Sequence, residues 1–148
     1  MALRWEPVHR IVQGSDPDAG AEIQIVVPED KWWILRSVTV SLSQGITQTP
    51  RPVLRVSDGT DQVFESFSGT GNQAVSTTCR HTWAEGIPLQ GPTGTGTNVH
   101  STGTLPANLM LGPGFVIDTM TLGIGANTNY AAPLVVVEEY DDYPAHLF

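Results

Sequence analysis

The chain has 148 residues, 40% of them hydrophobic, with 15 glycines and 11 prolines, a composition that predicts one folded domain with many turns. Seven Lys and Arg residues against 15 Asp and Glu residues give a net charge of −8, which argues against binding along a nucleic-acid backbone, because such binding requires clustered cations. The N-terminus lacks the apolar core of a secretory signal and no apolar run approaches the roughly 18 residues of a membrane span, so we expect folding in the cytoplasm and no membrane partner.

Apolar and polar residues alternate along most of the chain, and this period of two predicts β-strands. In chain order, strands are expected around residues 5–12, 23–27, 31–43, 52–58, 61–68, 74–83, 115–126 and 133–140. Asp58 and Gly59 form the strongest hairpin signal, so the two strands that flank them are expected to pair.

Within two of these strands the alternation also predicts which side chains face the core. In the run KWWILRSVTVSLS, Trp32 and Ile34 share a predicted inner face with the later Val and Leu residues, and Trp33 lies on the opposite face. In FVIDTMTLGIGA, the predicted inner face contains Val116, Met120, Leu122 and Ile124.

The segment from Gly86 to Pro106 consists mainly of Gly, Thr, Ser and Pro, and we expect it to be a long surface loop. It contains GPTGTGTN, which resembles a phosphate-binding loop only in its glycines. Thr97 stands where that loop needs a lysine, and no helix is predicted to follow. The nucleotide-binding interpretation is therefore disfavoured.

No segment longer than two turns shows helical spacing, so the predicted fold is all-β: an antiparallel β-sandwich, jelly-roll-like, of eight or nine strands. We expect a single domain over residues 1–148, with short extensions at about residues 1–5 and 141–148.

Few residues carry a pattern typical of catalysis or metal binding. The four histidines are isolated in sequence. Alternation places the one cysteine, Cys79, on the same face as His81 but places Arg80, whose charge could lower the thiol pKa, on the opposite face, so a Cys–His dyad is disfavoured. Alternation separates Glu138 from Glu139, so these acids are interpreted as a solvated strand end. We expect no enzymatic activity, no metal and no cofactor.

Aromatic side chains are the remaining candidates for a binding surface. A tryptophan in a β-sandwich usually packs in the core, but alternation sends one of the adjacent pair Trp32 and Trp33 outward. The predicted anchors of a protein interface are Trp5, Trp33, Tyr143 and Phe148.

Three stretches, PEDKWWILRSVTVSLS, RPVLRVSDGTDQVFES and LPANLMLGPGFVIDTMTLGIGANTNYAAPLVVVEEY, resemble small jelly-roll structural proteins of tailed-bacteriophage particles. The resemblance covers about residues 22–140 and rests on strand rhythm and on a turn before a Thr-rich strand. It implies a capsid decoration or cement protein without enzymatic activity. Such a protein binds the major capsid protein or other virion proteins, commonly as a trimer, and is located in the virion after folding in the host cytoplasm.

Other functions remain open at this point. A tail or neck fitting would have the same sequence properties as a capsid decoration protein. A carbohydrate-binding module for host recognition would use a face that carries Trp33 or Trp83, or the segment from Gly86 to Pro106. A cupin-type enzyme is the weakest hypothesis, because it needs a cluster of histidines and carboxylates.

Overall fold

The structure is a computed structural model that describes residues 6–145, and this range contains twelve β-strands and no α-helix. The strands are β1 (Val8–Gln13), β2 (Gln24–Val26), β3 (Trp32–Gln44), β4 (Arg51–Ser57), β5 (Gln62–Phe67), β6 (Thr78–Glu85), β7 (Gln90–Thr95), β8 (Asn98–Leu105), β9 (Leu109–Leu111), β10 (Val116–Leu122), β11 (Thr128–Tyr130) and β12 (Leu134–Tyr140). Within residues 6–145 no helix has the length and hydrophobicity needed to cross a membrane.

The strands form two sheets that pack face to face. The large sheet has the order β1-β12-β3-β6-β8-β7, with β9 and β11 also pairing with β3, and the small sheet has the order β2-β10-β4-β5. Without β7, β8, β9 and β11, eight strands remain, and their order in the two sheets is that of a jelly roll. The predicted all-β sandwich is confirmed, with twelve strands instead of eight or nine. All pairs are antiparallel except β6 with β8.

A β-bulge in β3 decides which of its side chains enter the core. The register of β3 on β12 shifts between Val136, opposite Ser37, and Val137, opposite Leu35, so Arg36 is an extra residue. Because of this insertion, Trp33 and Leu35 point to the same side as Val38, and all three are buried in the core. The prediction that Trp33 faces away from the core is therefore wrong, because strict alternation does not hold across a bulge.

The inner face of β10 is also the opposite of the predicted one. Ile117, Thr119 and Thr121 are buried, whereas Met120 and Leu122 are exposed. Polar side chains are tolerated inside because their hydroxyls have partners. The Ile23 amide donates to Thr119 Oγ1 (3.2 Å), and the two threonine hydroxyls donate to the Glu22 carboxylate (3.4 and 3.0 Å).

The segment from Gly86 to Pro106 is not a loop but contains the hairpin of β7 and β8, so that prediction is wrong. The partner that orders it is distant in sequence, because β8 pairs in parallel with β6. The glycines permit close backbone contacts: Gly94 has a φ of 118°, and a Cβ there would collide with the Asn98 carbonyl oxygen. The predicted hairpin of β4 and β5 at Asp58 and Gly59 is confirmed.

Candidate functional site

The four predicted anchors fall in three different situations. Trp5 and Phe148 lie outside the described residues. Trp33 is buried, and its indole Nε1 donates a hydrogen bond to Glu139 Oε2 (2.9 Å). Tyr143 is 48% exposed and packs edge to face on Trp32, with 5.0 Å between ring centroids. Within residues 6–145, Tyr143 is thus the one predicted anchor that reaches the surface.

A buried cluster around His81 has the arrangement of a nucleophile, a base and an orienting group. The Ser68 hydroxyl lies 2.6 Å from His81 Nδ1, and His81 Nε2 lies 3.0 Å from Gln73 Oε1. The Gln73 amide group donates to the carbonyl oxygens of Leu42 and Thr77 (2.8 and 3.1 Å), so its oxygen faces the histidine. His81 Nε2 therefore carries the proton and Nδ1 accepts a hydrogen bond from Ser68.

This cluster has the connectivity of a catalytic triad but not its accessibility. Ser68, Gln73 and His81 are all buried, and burial lowers the pKa of His81 to about 3, so the ring is neutral. A substrate has no path to the Ser68 hydroxyl without opening the sandwich. The cluster therefore ties β6 to the segments that follow β5, and its role is structural.

Cys79 lies on the same side of β6 as His81, as predicted, but the two do not form a reactive pair. His81 uses both ring nitrogens on Ser68 and Gln73. Burial raises the pKa of the Cys79 thiol to about 12, so the thiolate is scarce at neutral pH.

The acidic residues at the end of β12 are bound rather than solvated, which corrects the interpretation of Glu138 and Glu139 as an exposed strand end. Glu139 is buried and accepts hydrogen bonds from Trp33 and from Arg10 Nε (2.8 Å). Glu138 lies on the other face and pairs with Arg36 at 3.0 Å. In the part of the chain that the structure describes, no group of three His, Cys, Asp or Glu residues is placed to hold a metal ion.

The outward side of the large sheet is the most extensive candidate surface. We call it the hydroxyl face and define it by residues that the strand register places on one side: Ile11, Ser37, Thr39, Ser41, Arg80, Thr82, Thr102, Leu134 and Val136. Ile11 is 73% exposed and Leu134 is 43% exposed. A shallow groove of about 370 Å³ runs between the hydroxyl side chains of β3 and the aliphatic side chains of β1 and β12.

The hydroxyl face is almost free of charge on a chain of net charge −8. Among the residues that define it, the one charged side chain is Arg80, opposite Ser41 on β3 and beside His100 on β8. Glu138 follows Val136 on the same side of the sheet and is paired with Arg36. Of the basic side chains among residues 6–145, four are in ion pairs and one lies over an aromatic ring: Arg10, Lys31, Arg36, Arg55 and Arg51. Arg80 makes no side-chain hydrogen bond or ion pair with any other residue in that range.

The outward side of the small sheet differs in charge. It carries an ion pair between Arg55 and Asp118 at 3.1 Å, with Glu65 opposite Arg55 on the neighbouring strand. An apolar cluster of Val53, Phe67, Met120 and Leu122 lies beside these charges on the same face. The two outer faces of the sandwich are therefore chemically distinct.

Sequence reasoning missed the hydroxyl face as a site, although its signal was present. Ser37, Thr39 and Ser41 alternate with buried Val residues in β3, and that pattern identified the polar side of the strand. The extent of the face became visible only when the register placed Thr82 and Thr102 beside them. A comparison of this chain with protein families, with curated proteins and with solved structures finds no match.

Proposed function

We propose that this protein is a non-enzymatic structural component of a bacteriophage virion, which binds the outer surface of the capsid through its hydroxyl face and stabilises the shell. The proposal joins the resemblance of the sequence to phage jelly-roll proteins with a surface suited to docking. The partner is the major capsid protein or another virion protein, and the binding unit is a homo-oligomer.

The observation that carries the proposal is the low charge of the residues that define the hydroxyl face. The centres of protein interfaces are depleted in charged residues, because each buried charge must be desolvated. On a chain with 22 charged residues, counting 7 basic and 15 acidic, the nine residues that define this face include one charge, and the neighbouring Glu138 is neutralised by its ion pair with Arg36. Arg80, at one end of this face, has no side-chain partner within residues 6–145 and is available for a charge-assisted hydrogen bond to a carboxylate or carbonyl oxygen of the partner.

The interior of the sandwich supports a structural rather than a catalytic role. The polar clusters that resemble catalytic groups are satisfied within the fold, as in the contacts of His81 with Ser68 and Gln73. Trp33 and Trp83, which a carbohydrate-binding face would use for stacking on sugar rings, are both buried. The carbohydrate hypothesis therefore loses the two tryptophans named for it and retains only the segment from Gly86 to Pro106.

A tail or neck fitting would use the same surface on a different partner. The two locations differ in where the protein is found in the particle, so cryo-electron microscopy of virions distinguishes them directly. Density for this fold on the capsid surface agrees with the proposal, and density at the neck or tail would replace the capsid with a tail or neck protein as the partner.

Binding is tested by co-sedimentation of the purified protein with virions assembled from a genome that lacks this gene. We expect saturable binding to mature capsids and none to disassembled capsid subunits. Leu134→Glu places a charge on the hydroxyl face and should reduce binding at least about tenfold, because an interfacial carboxylate is left without a partner. Leu122→Glu is the matched control, since Leu122 is 46% exposed but lies on the small sheet.

Three results would contradict the proposal. They are the absence of binding to any part of the particle, a loss of binding in Leu122→Glu but not in Leu134→Glu, and an equal effect of both substitutions. Circular dichroism of both variants verifies that each remains folded.

A further inference from the structure

Strand β1 forms an open edge of the large sheet. Among residues 6–145 it pairs with β12 alone, in six consecutive register positions without a bulge, from Val8 opposite Glu139 to Gln13 opposite Leu134. The second side of β1 makes no backbone hydrogen bond to any other described residue. Such an edge is a template for the addition of another strand.

The hydrogen bond from the Gly14 amide to the Pro133 carbonyl oxygen (2.9 Å) identifies which groups point to the open side. In an antiparallel ladder, hydrogen-bonded pairs recur at every second residue. The N–H and C=O groups that point toward β12 are therefore those of Val8, Arg10, Val12 and Gly14. The N–H and C=O groups of His9, Ile11 and Gln13 point away from the sheet.

The other sheet edges are protected against strand addition, and β1 is not. At the opposite end of the large sheet, β7 contains Pro92 and its register on β8 is irregular. In the small sheet, β2 has three residues, and the register of β5 on β4 shifts between Val56 and Ser57. Short strands, prolines and bulges are the usual means of blocking an edge, and β1 has none of them.

We propose that β1 pairs in antiparallel orientation with β1 of a second copy of this chain, about a twofold axis at Ile11. This register places Ile11 opposite Ile11 of the second copy, and His9 opposite Gln13 of the second copy. Each of these pairs exchanges two hydrogen bonds through the backbone groups that point away from β12. Registers centred on Arg10 or Val12 would also oppose outward-pointing groups, but within β1 they form two such pairs instead of three. Centring on Arg10 would in addition place the two arginines opposite each other.

The side chains of β1 are compatible with this self-pairing. Ile11, 73% exposed, gains an apolar neighbour directly across the interface. Arg10 faces Val12 of the second copy, so the two arginines are not opposite each other, and each is already paired with its own Glu139 at 2.8 Å. β1 contains no acidic residue, so the overall charge of −8 is not concentrated at this edge.

Pairing about this axis places both hydroxyl faces on the same side of a continuous sheet, because directly opposed residues share a face. The pairing depends only on the edge geometry and does not rest on the proposed capsid binding. A twofold pair also differs from the trimer that the family resemblance implies, and a mass measurement separates the two.

Sedimentation equilibrium tests the pairing at protomer concentrations from about 1 to 100 µM. We expect a species of twice the 15.9 kDa of one chain. Ile11→Pro removes an N–H group that points to the open side and leaves the β12 ladder intact, so this variant should be a folded monomer. Ile11→Lys, which places like charges opposite each other, should also be monomeric. Val63→Lys is the matched control on an exposed position (50%) of β5, and should remain dimeric.

Cysteine cross-linking tests the register independently. Opposed residues of a hydrogen-bonded pair have Cα atoms about 5.5 Å apart, within the range of disulfides, so Ile11→Cys should form a covalent dimer on mild oxidation. Val8→Cys is the control on the same strand, because the two Val8 residues would lie six positions, about 20 Å, apart. The native Cys79 is buried and should not compete.

A monomer at all concentrations, a trimer, or a dimer that persists in both Ile11→Pro and Ile11→Lys would each overturn the proposal. Equal cross-linking of Ile11→Cys and Val8→Cys would overturn the register. If Ile11→Pro fails to fold, Ile11→Lys and the cross-linking pair still decide the question.

Discussion

The buried His81 should make the stability of this protein fall as the solution is acidified below about pH 6.5. In the unfolded chain the imidazole titrates near its ordinary pKa of about 6.5, and in the fold burial lowers the pKa of His81 to about 3. Between these values the unfolded state binds a proton that the native state does not. The stability that neutral His81 contributes is therefore complete above pH 6.5 and is lost as the pH falls toward 3.

The magnitude follows from proton linkage. One proton bound only by the unfolded state changes the free energy of unfolding by up to about 1.4 kcal/mol per pH unit, so acidification from about pH 7.5 to about pH 5 should cost about 2 kcal/mol. Glu22 acts in the opposite direction, because burial raises its pKa and its protonation favours the native state. The slope of the wild-type protein is therefore reduced by Glu22, and a His81 variant is needed to isolate the histidine.

Urea unfolding followed by tryptophan fluorescence at several pH values measures this dependence, with Trp33 and Trp83 as buried probes. His81→Asn should be less stable by about 1 to 3 kcal/mol at pH 7, because Gln73 loses a buried partner, and its stability should depend less on pH. His100→Asn, at an exposed position, is the control and should keep the wild-type slope.

A second measurement remains informative if His81→Asn does not fold. The ring proton resonances of His81 in the native protein should not titrate between pH 7 and about 4.5. A His81 resonance that titrates near pH 6.5, or the same pH dependence in wild type and His81→Asn, would refute the reasoning.

Three further predictions concern stability and reactivity. Gly94→Ala should destabilise the fold by more than about 1 kcal/mol in chemical denaturation, because the glycine has a positive φ and a Cβ would collide with a backbone carbonyl oxygen. Gly71→Ala is the control and should have little effect, since no atom lies within 4 Å of a Cβ at that position. Trp33→Phe should cost about 1 to 3 kcal/mol in the same assay, because buried Glu139 loses its indole donor; a neutral result would show that the bond contributes nothing. Cys79 should react with iodoacetamide at pH 8 only after unfolding in urea, because the thiol is buried and its pKa is raised to about 12. Mass spectrometry measures the alkylation, and rapid alkylation of the native protein would contradict this prediction.

The sequence by itself determined the fold class and most strand positions. Local signals sufficed there, because a period of two marks strands and a pair such as Asp58 and Gly59 marks a hairpin. The long alternating segment of β3 and the Val-rich run of β12 were both predicted as strands, and they lie side by side in the large sheet.

What the tertiary structure alone decided is which side of a strand is buried and which segments find distant partners. The bulge at Arg36 turned Trp33 inward, and the Glu22 carboxylate allowed Thr121 to replace Leu122 on the inner face of β10. The Gly86 to Pro106 segment became a hairpin because β8 pairs with β6. Each outcome depends on backbone and polar groups far apart in sequence, and a local pattern contains no information about such groups. The hydroxyl face and the open edge of β1 likewise exist only after the strands are placed in register.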